Sequence, residues 1–133
     1  MTGTRQLAAA LREEGGLLAD ALSSQQPADE ALLAGVPGGP HALALSAVRE
    51  AYLLHYGGGR VVDTDDADLA LLGGDRLYAL ALAELAALGD LPTIAVLAEL
   101  ISDCARAHAD DASAEATVAW ERAVSAVVRN RTR

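Results

Sequence analysis

At 133 residues and a formal net charge of −9, the chain has room for one continuous hydrophobic core and not for two, so a single domain spanning 1–133 is expected. All ten basic residues are Arg, and they gather only sparsely, at Arg129, Arg131 and Arg133; without a basic face to neutralise phosphates, a nucleic-acid groove and an anionic membrane surface are both argued against. Hydrophobic residues make up 52% with no Phe, which leaves Leu, Ala and Val as the core, a mix dominated by helix formers.

The first helical pattern runs from about Thr4 to Ser24, with Leu7, Leu11, Leu18 and Leu22 on one stripe and a bend or break expected at Gly15-Gly16. The polar start, Met1 to Gln6, is expected to be neither a signal peptide nor a membrane span. Pro27 restarts the chain, Asp29 to Ala34 has room for a short helix, and Gly35 to Pro40 forces a turn. Pro40 suits the first turn of a helix ending at Tyr56 on Gly57-Gly58-Gly59, where a left-handed glycine cap is expected. On that helix His41, Leu45, Val48, Tyr52 and His55 line one stripe, while Ser46, Arg49 and Glu50 are expected on the other side.

After a polar loop from Arg60 to Asp66, an acid caps the longest and most apolar helix, which reaches Leu88 and closes on Gly89. Its leucines leave almost no polar stripe, so it is expected to be the buried hub of the bundle. Beyond Asp90-Leu91-Pro92, the next helix is expected to turn Ile94, Leu97, Ala98, Ile101, Cys104, Ala105 and His108 inward and Glu99, Asp103, Arg106 and Asp110 outward. A last helix from about Ser113 carries Trp120, Val124, Val127 and Val128 inward, and Arg129 and Arg131 complement the negative end of its dipole. No strand alternation and no internal repeat occur, so the fold class is all-α, with about five to six helices around a central hydrophobic one.

The densest acidic cluster is Asp63-Thr64-Asp65-Asp66-Ala67-Asp68. Acids collect where a helix begins because the N-terminal dipole favours them. The chemical alternative is a hard divalent ion on Asp63, Asp65 and Asp66, with magnesium bridging to a diphosphate. An EF-hand does not fit, since Asp68 stands where the sharp-turn Gly belongs and Gly74 where the bidentate Glu belongs. His108, Asp110 and Asp111 form a smaller cluster that reads as a helix end, and Gly57 to Arg60 lacks the strand and Lys of a phosphate loop. Cys104 lies mid-stripe, where a thiol packs as a small hydrophobe with a raised pKa; a lone cysteine also fits a reducing cytoplasm. Gly73-Gly74-Asp75-Arg76 puts a charged pair into an apolar helix, and the glycines imply close approach of a neighbour. Asp75 then needs a partner, Arg76 locally or Arg49 across the bundle, and an ion pair and a ligand site both stay open for it.

The run Leu71-Leu72-Gly73-Gly74-Asp75-Arg76-Leu77-Tyr78-Ala79-Leu80-Ala81-Leu82 resembles the "LAGDxLLAxAL" helix of trans-isoprenyl diphosphate synthases. Val96 to Ile101 is similar to the helix that follows it, and Ala42 to His55 resembles the helix that precedes it, so the likeness runs in order from Ala42 to Asp111. It implies an isoprenoid-synthase-like helical core. Family enzymes hold diphosphates through magnesium on two DDxxD-type motifs, with basic residues gripping the second diphosphate. Here Gly57-Gly58-Gly59 stands where the first motif falls, the acids come later at other spacings, and there is neither a Lys nor a second aspartate motif. The resemblance without the motifs implies a non-catalytic partner or regulatory subunit of a prenyl diphosphate synthase. Two alternatives stand beside it: a homo-oligomeric helical interaction module unrelated to prenyl chemistry, and a reduced magnesium-dependent enzyme binding diphosphate through Asp63, Asp65, Asp66, Asp68, Asp75 and Arg76.

Overall fold

The computed structural model describes residues 2–131, so Arg133 lies outside the described residues. Among those residues the chain is helical: α1 (Gly3–Glu14), α2 (Leu17–Asp20), a 3-10 turn at Ala31–Leu33, then α3 (Pro40–Tyr56), α4 (Ala67–Leu88), α5 (Leu91–Ala109) and α6 (Ser113–Arg131). The only extended pairing among them is an isolated bridge between Leu22 and Val62. No helix of the described residues is long and apolar enough to cross a membrane.

Helix boundaries follow the capping chemistry. The Thr2 hydroxyl accepts from Arg5 N–H at the start of α1, and the Asp29 carboxylate accepts from Gly3 and Thr4 N–H at 3.1 and 3.0 Å, satisfying donors the helix leaves open. Gly15 and Gly16, at φ 74° and 85°, break the first helix where the sequence places its weak point. Gly89 ends α4 in the left-handed conformation at φ 69°. Gly57, expected to be the same kind of cap, has φ −154° instead, because the chain beyond α3 is held by a different device.

That device is Glu50. The sequence pattern sets Glu50 on the outer side of α3, yet it is only 3% exposed. Its carboxylate accepts from the backbone N–H of Arg60 at 2.9 Å, Val61 at 3.1 Å and Val62 at 3.0 Å. Three donors converging on a buried carboxylate compensate its desolvation. The loop is thereby folded back over the end of α3. Val61 and Val62 are pressed into the core, and the chain pairs with the segment after α2 through Ser23 N–H to Val61 O and Asp63 N–H to Ala21 O. Gly59 passes so close that an added Cβ would sit 2.5 Å from Val62 O and 2.6 Å from Glu50 Oε2.

The hub of the bundle is α3, not α4. Nine residues of α3 are buried, from Ala42 to Leu54, against five of the longer α4. Small side chains at Ala44, Ala47 and Ala51 let neighbours approach α3 from several sides. α1 closes on it at Gly3, where a Cβ would collide with Ser46 Oγ, and α4 closes on it at Gly74, where a Cβ would collide with the His55 ring. The glycine pair in α4 therefore does admit a neighbouring helix, as its sequence implies. The apolar character of α4 is spent on one side only: Leu71 and Leu72 are 56% and 66% exposed. Hydrophobicity all round a helix does not specify which elements arrive to cover it.

α5 and α6 form an antiparallel pair. The buried stripe of α5 is Thr93, Leu97, Leu100, Cys104 and Ala107, rotated from the expected one: Ala98 and Ala105 face out, and Leu100 and Ala107 face in. The rotation follows from α6, which packs against the Leu100 and Ala107 side. Trp120, Val124 and Val127 are buried as their spacing indicates, and Val128 is half-buried.

Replacing Glu50 by Gln keeps the shape but turns one acceptor into a donor facing backbone N–H groups, so urea unfolding should show a loss of about 2–3 kcal/mol. Gly59→Ala should destabilise as well, and the double variant by less than the sum, because both act on the same loop.

Candidate functional site

The acidic segment lies at the head of α4. Asp66 is the N-cap: its carboxylate accepts from Asp68 N–H at 2.9 Å and Leu69 N–H at 3.2 Å, and Thr64 Oγ1 accepts from Asp66 N–H. Asp63, Asp65 and Asp68 are exposed. Among the described residues no three His, Cys, Asp or Glu side chains group so as to hold a metal ion.

Asp75 and Arg76 part company. Asp75, with its side chain 64% exposed, pairs with His55 Nε2 at 3.4 Å rather than with Arg76 or Arg49. The same Nε2–H donates to Leu71 O at 3.0 Å. Arg76 pairs with Glu14 at 2.6 Å, tying α4 to α1, and Arg49 donates two hydrogen bonds to Glu30 at 3.0 and 3.1 Å. Of the ligand set proposed from the sequence, Asp66 caps α4, Asp63, Asp65 and Asp68 are exposed, Asp75 pairs with an imidazole and Arg76 forms an interhelical ion pair.

A denser arrangement lies between α3, α4, α5 and α6. Tyr52 Oη and His108 Nε2 hydrogen-bond at 2.7 Å. Tyr56 stacks on His108 with ring centroids 4.1 Å apart and planes at 8°. His55 meets Tyr78 edge-on at 5.4 Å, and Tyr52 meets Trp120 edge-on at 5.7 Å. The Arg49 guanidinium lies 5.0 Å from the Trp120 ring and 5.3 Å from that of Tyr52, an attractive cation–ring geometry. All three tyrosines of the chain are in this cluster. Its sequence signal is Tyr52, His55 and Tyr56 at spacings of three and four on one helix, which a reading for acids and metal ligands passes over.

The electrostatics here favour packing. Burial raises the Tyr52 hydroxyl, with the neighbouring Cys104 adding to it, and burial raises Tyr78 strongly. Burial, then Asp103, pushes the Cys104 thiol up to about 11. All three are held protonated, so none is poised as a base or nucleophile at neutral pH. Two carboxylates shift the other way: Glu30 is lowered by its hydrogen bond from Arg49, and Asp90 by its hydrogen bond from His41 at 2.6 Å. Asp90 also caps α5 by accepting from Thr93 N–H, and Arg131 donates to His41 Nδ1.

No protein-family model, no curated protein and no solved structure matches the chain.

Asp66→Ala should cost about 1 kcal/mol in urea unfolding through loss of the cap. Asp63→Ala and Asp65→Ala should stay within about 0.5 kcal/mol. With Glu30 and Asp90 lowered in the folded state, their stabilising contribution is complete above the ordinary carboxylate range of about 4 and is lost as pH falls below it; the raised Cys104, Tyr52 and Tyr78 contribute below their ordinary values and lose this as pH rises. Urea midpoints measured across pH should therefore fall on both sides of a neutral plateau, with Glu30→Gln flattening the acid limb.

Proposed function

We propose that this protein is a non-catalytic, isoprenoid-synthase-like helical subunit that docks on a prenyl diphosphate synthase through the outward face of α4. The observation that supports the reading is the exposure of Leu71 and Leu72 on a helix whose opposite face is seated on α3. Burying an exposed leucine on association contributes on the order of 1.5–3 kcal/mol, and adjacent exposed leucines on a regular helix suit a helix-to-helix contact. The run that resembles the synthase helix, Leu71 to Leu82, lies on this same element. The Asp75–His55 and Arg76–Glu14 pairs stand at its border as polar rim. The departures from the paired aspartate motifs and the absence of Lys favour a partner over a magnesium-dependent catalyst. The lone, buried Cys104 accords with a reducing compartment, the cytoplasm.

Co-expression with the prenyl diphosphate synthase of the same genome should yield a complex that survives affinity capture. Leu71→Glu with Leu72→Glu should abolish capture while the thermal melt of the isolated protein stays within a few degrees, because both side chains are already in solvent. Capture unaffected by the double variant, or self-association with no capture of the synthase, overturns the reading.

A further inference from the structure

A groove runs along the outer side of the α5–α6 pair, separate from the exposed face of α4. It consists of two joined clefts, of about 430 and 250 Å³, which share Asp103, Ala119 and Arg122. Its floor is of small and apolar side chains, Leu100, Ala107, Ala119 and Ala123. Its rims are charged. Glu99, Asp103 and Arg106 stand along α5, and Glu115, Arg122 and Arg129 stand along α6 at intervals of seven residues, two helical turns.

Because the helices run antiparallel, the rims meet with opposite sign at each level. Glu99 shares one cleft wall with Arg129, Asp103 shares both clefts with Arg122, and Arg106 shares the other with Glu115. Along α5 the Asp103–Arg106 ion pair is long, at 3.7 Å, with Arg106 72% exposed. Such an exposed pair contributes little locally.

We infer that this groove is a self-complementary surface on which a second copy of the chain docks, α5 of each copy lying over α6 of the other. The argument is one of symmetry and charge. A two-fold axis parallel to the helices turns one grooved face onto the other, exchanges α5 with α6 and preserves the level along the axis. Glu99 of one copy then meets Arg129 of the other, Asp103 meets Arg122, and Arg106 meets Glu115, with every contact made twice. The six rim charges sum to zero in a chain of net charge −9, so this face escapes the repulsion that two acidic copies otherwise exert on each other. Each helix has 19 residues. At 1.5 Å per residue and a helix spacing of 8–10 Å, the face measures about 28 by about 20 Å, or roughly 560 Å² per copy in projection. That is the size of a weak, concentration-dependent dimer rather than an obligate one.

Sedimentation of the full chain at rising concentration and low salt should show a monomer–dimer equilibrium that weakens as salt is added. Arg122→Glu alone and Asp103→Arg alone should each raise the dimer dissociation constant at least about tenfold. The combined Asp103→Arg and Arg122→Glu variant should restore dimerisation by exchanging the two charges, with circular dichroism reporting intact helix content in all three. A monomer at every concentration overturns the inference, as does a dimer indifferent to these reversals or one abolished instead by Leu72→Glu, which places the contact on α4. Capture of the synthase is a separate readout: a native chain that stays monomeric yet captures the synthase removes this inference and leaves the α4 reading standing.

Discussion

The fold hangs on one buried carboxylate. Glu50 gathers the N–H groups of Arg60, Val61 and Val62, and in doing so sets the path of the chain between its two most closely packed helices. A buried carboxylate is tolerated only when its oxygens are hydrogen-bonded, and here the donors belong to the loop that the carboxylate organises. Val61 and Val62 enter the core as a result, the loop docks on Ala21 and Ser23, and α4 starts where it falls antiparallel against the end of α3.

Around that staple, α3 works as a shared spine. It receives α1 at Gly3 and α4 at Gly74, where backbones come close, and it meets the α5–α6 pair through large rings. Two kinds of joint follow. The glycine joints depend on the absence of atoms, so any added Cβ is felt at once. The ring joint, with Tyr52, Tyr56, His108 and Trp120 backed by Arg49 and Glu30, fills a wider gap with directional contacts.

Much of this was legible in the order of residues, because capping and breaking are local. The start of α3 at Pro40, the ends of α4, the break at Gly15-Gly16 and the Asp66 cap follow from chemistry within four or five positions. What each helix buries was not, because burial is decided by partners far along the chain. Glu50 reads as a surface acid until the loop ten residues later closes over it, and Ala98 and Ala105 read as core until α6 takes the side of Leu100 and Ala107. A charge inside an apolar helix implies a partner for Asp75, but the partner is His55, which sits beside it only because the glycine notch lets α3 and α4 touch. The acidic cluster is plain in the sequence, and an acidic cap at the head of α4 follows from the helix dipole. The tyrosine and histidine cluster left a periodic trace on α3, but its completion by His108 and Tyr78 needed three dimensions.

The notch at Gly73 and Gly74 also determines how α4 is indexed. Only there can the His55 ring and a Leu18 methyl enter the helix surface; a slide of one turn in either direction would set side chains of ordinary size against them. α4 is therefore locked in both height and rotation, like a key cut at a single tooth. Its outward leucines keep fixed bearings, and anything that settles on them finds a template already ordered, with little further backbone freedom to surrender.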